Sequence, residues 1–561
     1  MKNLTRYVKS RTSTPQSEPI PGSAQVANSG GGYSWAVGDW TRLDRFLILG
    51  SEGGTYYISE RELTRQNAEA VARCIAADGE RAVARIAEVS EAGRAPKNDP
   101  AIFALALCAA LGDGATKRAA FGALIRVCRT GTHLFHFAQY VDGLRGWGRG
   151  LREAVAAWYA MPAGKLALQA IKYQQRDGWS HRDLLRLAHP RPATEQHEAI
   201  YGWMVKGWEW IGDEPHPDAA LLTIWAFERA KRARGAQEVV SLVREYNLPR
   251  EAVPTEWLNS PEVWAALLEH MPVEAMVRNL AKMTVVGLLA PMSDAAETIV
   301  SRLVDGERLR RARLHPIKVL AALKTYAQGH GERGKLKWSP VSQVIDALND
   351  AFYMTFGNVE PTGKRWLLAL DVSGSMRGNM IAGIPGLDAR VGSAAMALVT
   401  AATEQKHTIV AFSAGPNGYG GMWGGGESGL TQVSISPRQR LDDVVSATDA
   451  IPMGGTDCAL PMKWALKNKV EADVFVVYTD SETWAGEPHP AQALRHYRDK
   501  MGIPAKMVVV GMTSNGFTIA DPDDAGMLDV VGFDTAVPQL MSDFVAEGLR
   551  LPGVESQALE S

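Results

Sequence analysis

The chain has 561 residues, more than one hydrophobic core holds, so two or more domains are expected. Its 46% hydrophobic and 22% charged residues are those of a globular protein, which excludes a disordered or fibrous chain. A net charge of −2 excludes a uniformly basic surface, so any anionic partner must meet local patches.

Residues 1–30 are polar, with Pro15, Pro19 and Pro21, and are expected to form a flexible N-terminal segment unless they dock on the body. The start, Met1 to Arg6, has no apolar secretion-signal core, and no apolar run approaches the ~20 residues that span a bilayer, so a cytoplasmic protein with no membrane partner is expected. Cys74, Cys108, Cys128 and Cys458 are scattered and read as buried thiols rather than a disulfide frame or zinc site.

Residues 31–362 carry helical periodicity. Helices are expected over Ala101–Leu111, Leu151–Tyr159, Leu166–Arg176, Ala219–Arg234, Val263–Glu269 and Ala275–Leu289. Serial helices without strands suit a helical-repeat solenoid. Charge is uneven here. Ala115–Pro190 holds twelve Lys and Arg against four Asp and Glu, and Ser301–Pro340 holds ten against three. Lys172 and Arg176, four apart, are expected on one helical face. Ser180-His181-Arg182-Asp183 reads as a capping box opening a second helix, which carries Arg182 and Arg186 and ends at His189 before Pro190. Such side chains neutralise phosphates and stack on unpaired bases. They also suit ordinary surface ion pairs, with His189 as a helix C-cap.

Residues 363–551 change grammar. Strands are expected at Trp366–Leu370, Thr408–Phe412, Val474–Tyr478 and Lys506–Val510. Helices are expected at Ser393–Glu404, Leu441–Asp449, Ala459–Lys467, Ala491–Lys500 and Gln539–Leu549. That alternation predicts a mostly parallel doubly wound sheet. Gly415 to Gly429 holds eight glycines in fifteen residues and reads as a surface loop; residues 552–561 read as a loose tail.

Asp371-Val372-Ser373-Gly374-Ser375 follows the first of these strands, Gly454-Gly455-Thr456-Asp457 comes later, and another strand ends in Thr479-Asp480. A carboxylate and two hydroxyls at alternate positions turn three oxygens toward one point, and such oxygen clusters suit Mg2+, Mn2+ or Ca2+, Mg2+ foremost. The same residues also suit capping of the next helix. Taken together in this order, the three segments resemble the metal-ion-dependent adhesion site of a von Willebrand factor A-like domain. The metal positions are then Asp371, Ser373, Ser375, Thr456 and Asp480.

Longer blocks carry a further resemblance. They include Leu43 to Tyr57, Ala101 to Cys108, Val127 to Phe135, Lys172 to His189, Gly329 to Trp338, Gly454 to Cys458 and Met512 to Asp524. On these the chain is identified as a member of the Ro autoantigen, or TROVE-domain, family, and is similar to its bacterial members. The resemblance implies an α plus α/β fold: a ring of HEAT-like helical repeats closed by a von Willebrand factor A-like domain. It implies binding of small non-coding Y-like RNAs on the outer face of the ring, at positions matching Lys172, Arg176 and His189. Arg186 joins them on the second helix, and Arg129, Thr130 and His133 lie in a block near the RNA-binding surface. It implies entry of misfolded RNAs with single-stranded 3′ ends into the central hole. It also implies tethering by the Y-like RNA to the exoribonuclease polynucleotide phosphorylase, and so a role in RNA quality control.

No catalytic constellation is legible. Val372-Ser373-Gly374 is not a nucleophile elbow, and Gly331 to Leu336 lacks the spacing of a phosphate-binding loop. A non-enzymatic protein is expected. The alternative is a metal-dependent protein-adhesion scaffold without RNA.

Overall fold

Strands rich in Val, Leu and Ala lie side by side at the centre of one half of the molecule. The computed structural model describes residues 13–331, 335–356, 359–377, 380–384, 387–414, 429–433, 439, 443–444, 451 and 454–547. The chain divides into two compact units, Met1–Asn67 with Phe356–Ser561, and Ala68–Thr355.

The first unit is α/β. Its six-stranded sheet runs in the order Met527–Val531, Lys506–Gly511, Val474–Thr479, Trp366–Asp371, His407–Phe412, Leu430–Gln432. The first five are parallel and the last is antiparallel. The four expected strands are present, each longer by one residue at one end. Their unbroken apolar sequences reflect burial on both faces. Alternate residues Leu367 and Ala369, Phe475 and Val477, and Met507 and Val509 share one core with Leu494 and Tyr497 of the helix Pro490–Met501. From Trp366–Asp371 the chain steps to one neighbour, His407–Phe412, and then crosses to the other, Val474–Thr479. The carboxyl ends of these central strands therefore border a topological switch point, where open α/β sheets bind ligands.

This unit also recruits the N-terminal chain. Ile20 and Trp35 belong to the sheet's hydrophobic core. Tyr33–Ala36 pairs with Val26–Ala27 on one side and Phe517–Thr518 on the other. In the helix Asp39–Leu49, the fully buried Arg45 donates to both Asp529 carboxylate oxygens at 2.7 and 2.8 Å and to the Phe517 carbonyl at 2.8 Å. Two expectations change. Residues 13–30 are docked rather than loose, and the compact boundaries fall at 67/68 and 355/356 rather than at 30/31 and 362/363. The docking bonds reach residues more than 400 positions away, which local periodicity does not register. The expected helix Leu441–Asp449, the run Gly415–Gly429 and the tail lie wholly or mostly outside the described residues.

The second unit is helical. Neighbouring helices pack as pairs: Asp99–Leu111 with Gly131–Arg145, Arg149–Tyr159 with His181–Ala188, Ala236–Tyr246 with Pro261–His270, and Pro316–Ala327 with Ser342–Met354. The start and end of the array meet. His315 Nε2 bonds the Arg94 carbonyl at 2.8 Å across 221 residues, and Gly93 packs against the Arg313 side chain. Cys74, Cys108, Cys128 and Cys458 are buried free thiols, as their apolar surroundings in sequence suggest.

Candidate nucleic-acid interface and candidate metal centre

Within the helical unit, the helix Ala163–Lys172 ends at Lys172, not at Arg176. Lys172 and Arg176 therefore do not share a helical face. Gln175–Arg176 pairs antiparallel with Trp179–Ser180 in a hairpin turned by Asp177 (φ 54°) and Gly178 (φ 82°). Asp-Gly between two short strands is the residue pair that such a turn demands, and this signal outweighed the helical periodicity. Stacking of Trp179 on Trp147 and a 2.7 Å bond from Trp179 Nε1 to Gln139 pin the hairpin. Its tip is fixed by Asp177, which pairs with His136. Arg176 is left exposed, 3.7 Å from Asp177.

The capping box forms as expected. Asp183 Oδ2 accepts from the Ser180 amide at 3.0 Å, and Ser180 Oγ accepts from the Asp183 amide at 3.3 Å. Leu184, Leu185 and Ala188 are buried, while Arg182 and Arg186 are exposed. His189 closes the helix in the left-handed region (φ 47°) and is also exposed. His181 points inward instead. It bonds Tyr159 Oη at 2.8 Å and stacks on Trp158, and burial depresses its imidazole to about 4.

Thr130 caps the helix Gly131–Arg145 by accepting from the His133 amide. The Gly131 amide bonds Gln169 at 2.9 Å, and its Cα approaches Tyr173 so closely that an added Cβ would lie 2.9 Å from that side chain. This brings Arg129, Thr130 and His133 to the end of the helix that carries Lys172. Arg129 donates to Ser90 and to the Arg126 carbonyl, both at 2.9 Å, and burial together with Arg313 lowers its pKa. His133 is held near 4 by burial and by Arg129, so its imidazole is neutral, and its Nδ1 lies 3.4 Å from Asn98 Nδ2. Lys318, which also faces His133, pairs with Glu274 at 2.8 Å, and Lys172 interacts with the same carboxylate. Arg313, Lys318 and His136 were not expected at this site. Sequence distance hid the first two, although both fall in the second basic stretch.

In the α/β unit the three motif segments converge. Asp371 ends its strand beside Thr479, and its Oδ2 accepts from Thr479 Oγ1 at 2.6 Å while its Oδ1 accepts from the Ser373 amide at 2.9 Å. Ser373 Oγ and Ser375 Oγ lie 3.2 Å apart. The Gly374 amide bonds the Gly454 carbonyl at 3.2 Å, drawing in the loop that bears buried Thr456. Asp480 hydrogen-bonds Ser375, and its Oδ1 accepts from the Glu482 amide at 3.1 Å. Glu482 and Tyr57 were not expected here. Glu482 is buried two residues beyond Asp480, and the Tyr57 hydroxyl bonds Ser375.

The electrostatics is one-sided. Burial and the Asp480 charge raise Asp371 to about 7 and Glu482 to about 8, and burial raises Asp480. Burial and the same acids push the Tyr57 phenol to about 12. Among the described residues no Lys or Arg pairs with any of the three carboxyls, and Asp480 Oδ2 is buried without a hydrogen-bond partner. Mutually repelling buried carboxyls and a lone carboxylate oxygen are what a bound cation compensates. Hydroxyl and carboxylate oxygens are the donors that hard divalent ions take. No three His, Cys, Asp or Glu side chains gather into a metal cluster among the described residues, so an ion here would depend on Ser373, Ser375 and Thr456 as well as the acids.

A closed helical array and a doubly wound unit with an oxygen-lined switch point define the class: a helical-repeat protein with a von Willebrand factor A-like domain. The TROVE domain model matches residues 26–211 and 241–325, and the Ro60 vWA domain model matches residues 365–545. The chain belongs to the Ro60 family. It is 42% identical over 547 residues to the RNA-binding protein RO60 of Deinococcus radiodurans, covering 97% of this chain and 99% of that one. It is 36% identical to the RNA-binding protein RO60 of Caenorhabditis elegans, covering 93% and 90%. The crystal structure of the D. radiodurans RO protein aligns with a TM-score of 0.67 at 41% identity, covering 91% of this chain and all of that one.

Proposed function

We propose that the protein binds RNA. Small non-coding Y-like RNAs would lie on the outer face of the helical unit, and single-stranded 3′ ends of misfolded RNAs would enter its central opening. The observation that carries this reading is the exposure of Arg176, Arg182, Arg186 and His189 on the hairpin and helix that follow Lys172, in a chain 42% identical to a protein named for RNA binding. Phosphate contacts from these side chains supply affinity that falls with salt. Unpaired bases stack on Arg and His, and A-form duplexes are read by shape. The protein then works in the cytoplasm without catalysis, as a non-coding RNA quality-control factor whose bound Y-like RNA tethers polynucleotide phosphorylase. The α/β unit would hold one divalent ion, Mg2+ by donor hardness, through Asp371, Ser373, Ser375, Thr456 and Asp480. When bound, that ion supplies charge compensation and a position for a partner's carboxylate.

The test is a gel-shift titration at two salt concentrations. Its probes are a hairpin RNA with a single-stranded 3′ tail, the same hairpin blunt-ended, and a Y-like RNA. Salt-sensitive binding that prefers the tailed hairpin is expected. No binding to any RNA at low salt overturns the reading and leaves the metal-dependent adhesion scaffold.

A further inference from the structure

The loops of the candidate metal centre bond one another, and they are also held from outside. A strap of N-terminal chain supplies those outer ties. Gln16 is fully buried. Its Nε2 donates to Asp457 Oδ1 at 2.6 Å, and its Oε1 accepts from Thr483 Oγ1. Asp457 follows Thr456 directly, and Thr483 lies three residues past Asp480. One amide therefore clamps two of the three metal loops together. Thr483 Oγ1 also reaches the Thr456 carbonyl at 3.2 Å, so the clamp ends on the backbone of a candidate ligand.

The strap continues along the second loop. Asn28 Nδ2 donates to the Thr483 carbonyl at 2.7 Å, and Ser34 Oγ donates to the Ser481 carbonyl at 2.9 Å. Gly32 lies against the Thr483 backbone, where an added Cβ would sit 2.1 Å from the Thr483 oxygen. Tyr57, farther along the same N-terminal chain, bonds Ser375 of the first loop. The family matches begin at residues 26 and 365, so Gln16 lies outside both.

We infer that the N-terminal strap from Thr14 to Ser34, with Tyr57, is part of the metal centre, and that strap docking and divalent-ion binding are coupled. The inference rests on the proposed ion site and deepens it. Gln16 and Asn28 are positioning residues, since neither touches the ion's candidate ligands through its own side chain except by way of Asp457 and Thr483. Coupling is reciprocal: whatever the strap contributes to ion affinity, the ion contributes to holding the strap. Groups that orient metal ligands from behind change affinity by about 10- to 100-fold when removed.

The experiment uses the full chain and Mn2+ as the probe. Mn2+ affinity is measured by calorimetry for wild type, Gln16→Ala, Asn28→Ala and Tyr57→Phe, with circular dichroism to confirm folding. In parallel, amide hydrogen exchange of wild type is followed with and without Mn2+. The expected result is wild-type binding, about 10-fold weaker binding in Gln16→Ala, and exchange of residues 13–36 that slows when Mn2+ is added. Wild-type binding with unchanged affinity in the folded variants overturns the inference and leaves the ion site standing. Unchanged exchange of the strap in the Mn2+-bound wild type does the same, even where a variant fails to fold. No Mn2+ binding by wild type removes both.

Discussion

His133 and His181 sit in the same helical unit with imidazoles held near 4, against about 6.5 in an unfolded chain. Between those values the unfolded chain binds more protons than the folded one, so stability rises with pH across the window and is lost as pH falls from about 6.5 toward 4. The urea midpoint is expected to drop over that range, and His181→Gln together with His133→Gln to flatten the drop. A midpoint independent of pH there would contradict the burial of both rings. The basic side chains of the candidate RNA surface behave differently. Lys172→Ala/Arg176→Ala/His189→Ala removes charge from the surface without opening a core. It is expected to leave the thermal midpoint unchanged and to reduce the salt slope of RNA binding by about 1 for each phosphate that is no longer neutralised. The residue types at this surface were readable in sequence because Lys, Arg and His clusters announce their chemistry. Glu482 and Tyr57 were not readable as members of the metal centre, because their role comes only from where the fold carries them.

Elements were legible in proportion to how local their causes are. The parallel strands were recognisable because burial on both faces leaves an apolar run, and the helix from His181 was recognisable because its capping box lies within four residues. The helix Ala163–Lys172 was overextended, since periodicity continued past the point where Tyr173 leaves the helical region and the Asp177-Gly178 turn begins. That turn can be tested. Gly178 has φ 82° with open space around it, so a side chain there meets backbone strain and no clash. Gly178→Val is expected to cost about 1–2 kcal/mol and to weaken RNA binding by moving Arg176, although no charge is removed. Wild-type affinity in a Gly178→Val protein of reduced stability would show that Arg176 need not be presented by this hairpin.

At the scale of the whole chain, the α/β unit is discontinuous: residues 68–355 are inserted between its N-terminal elements and its sheet. Alternation of strands and helices pointed to this unit only from residue 363 onward, and nothing in the polar N-terminus signalled that it belongs with a sheet three hundred residues away. The join is held by Arg45, whose guanidinium is fully buried and divides its donors among Asp529, Asn515 and the Phe517 carbonyl. Removing one partner of such a pair leaves a buried charge and unfilled carbonyls, a loss of about 3–5 kcal/mol. Arg45→Ala is therefore expected to lower the thermal midpoint of the α/β unit far more than Arg65→Ala, which breaks an exposed pair with Glu62. Exposed pairs are screened by solvent and contribute little. Replacing both partners, Arg45→Met with Asp529→Leu, removes the orphaned charge and is expected to recover part of the loss. If Arg45→Ala melts like wild type, the N-terminal helix is not tied to the sheet through this pair, and the discontinuous unit must be held by its apolar contacts alone.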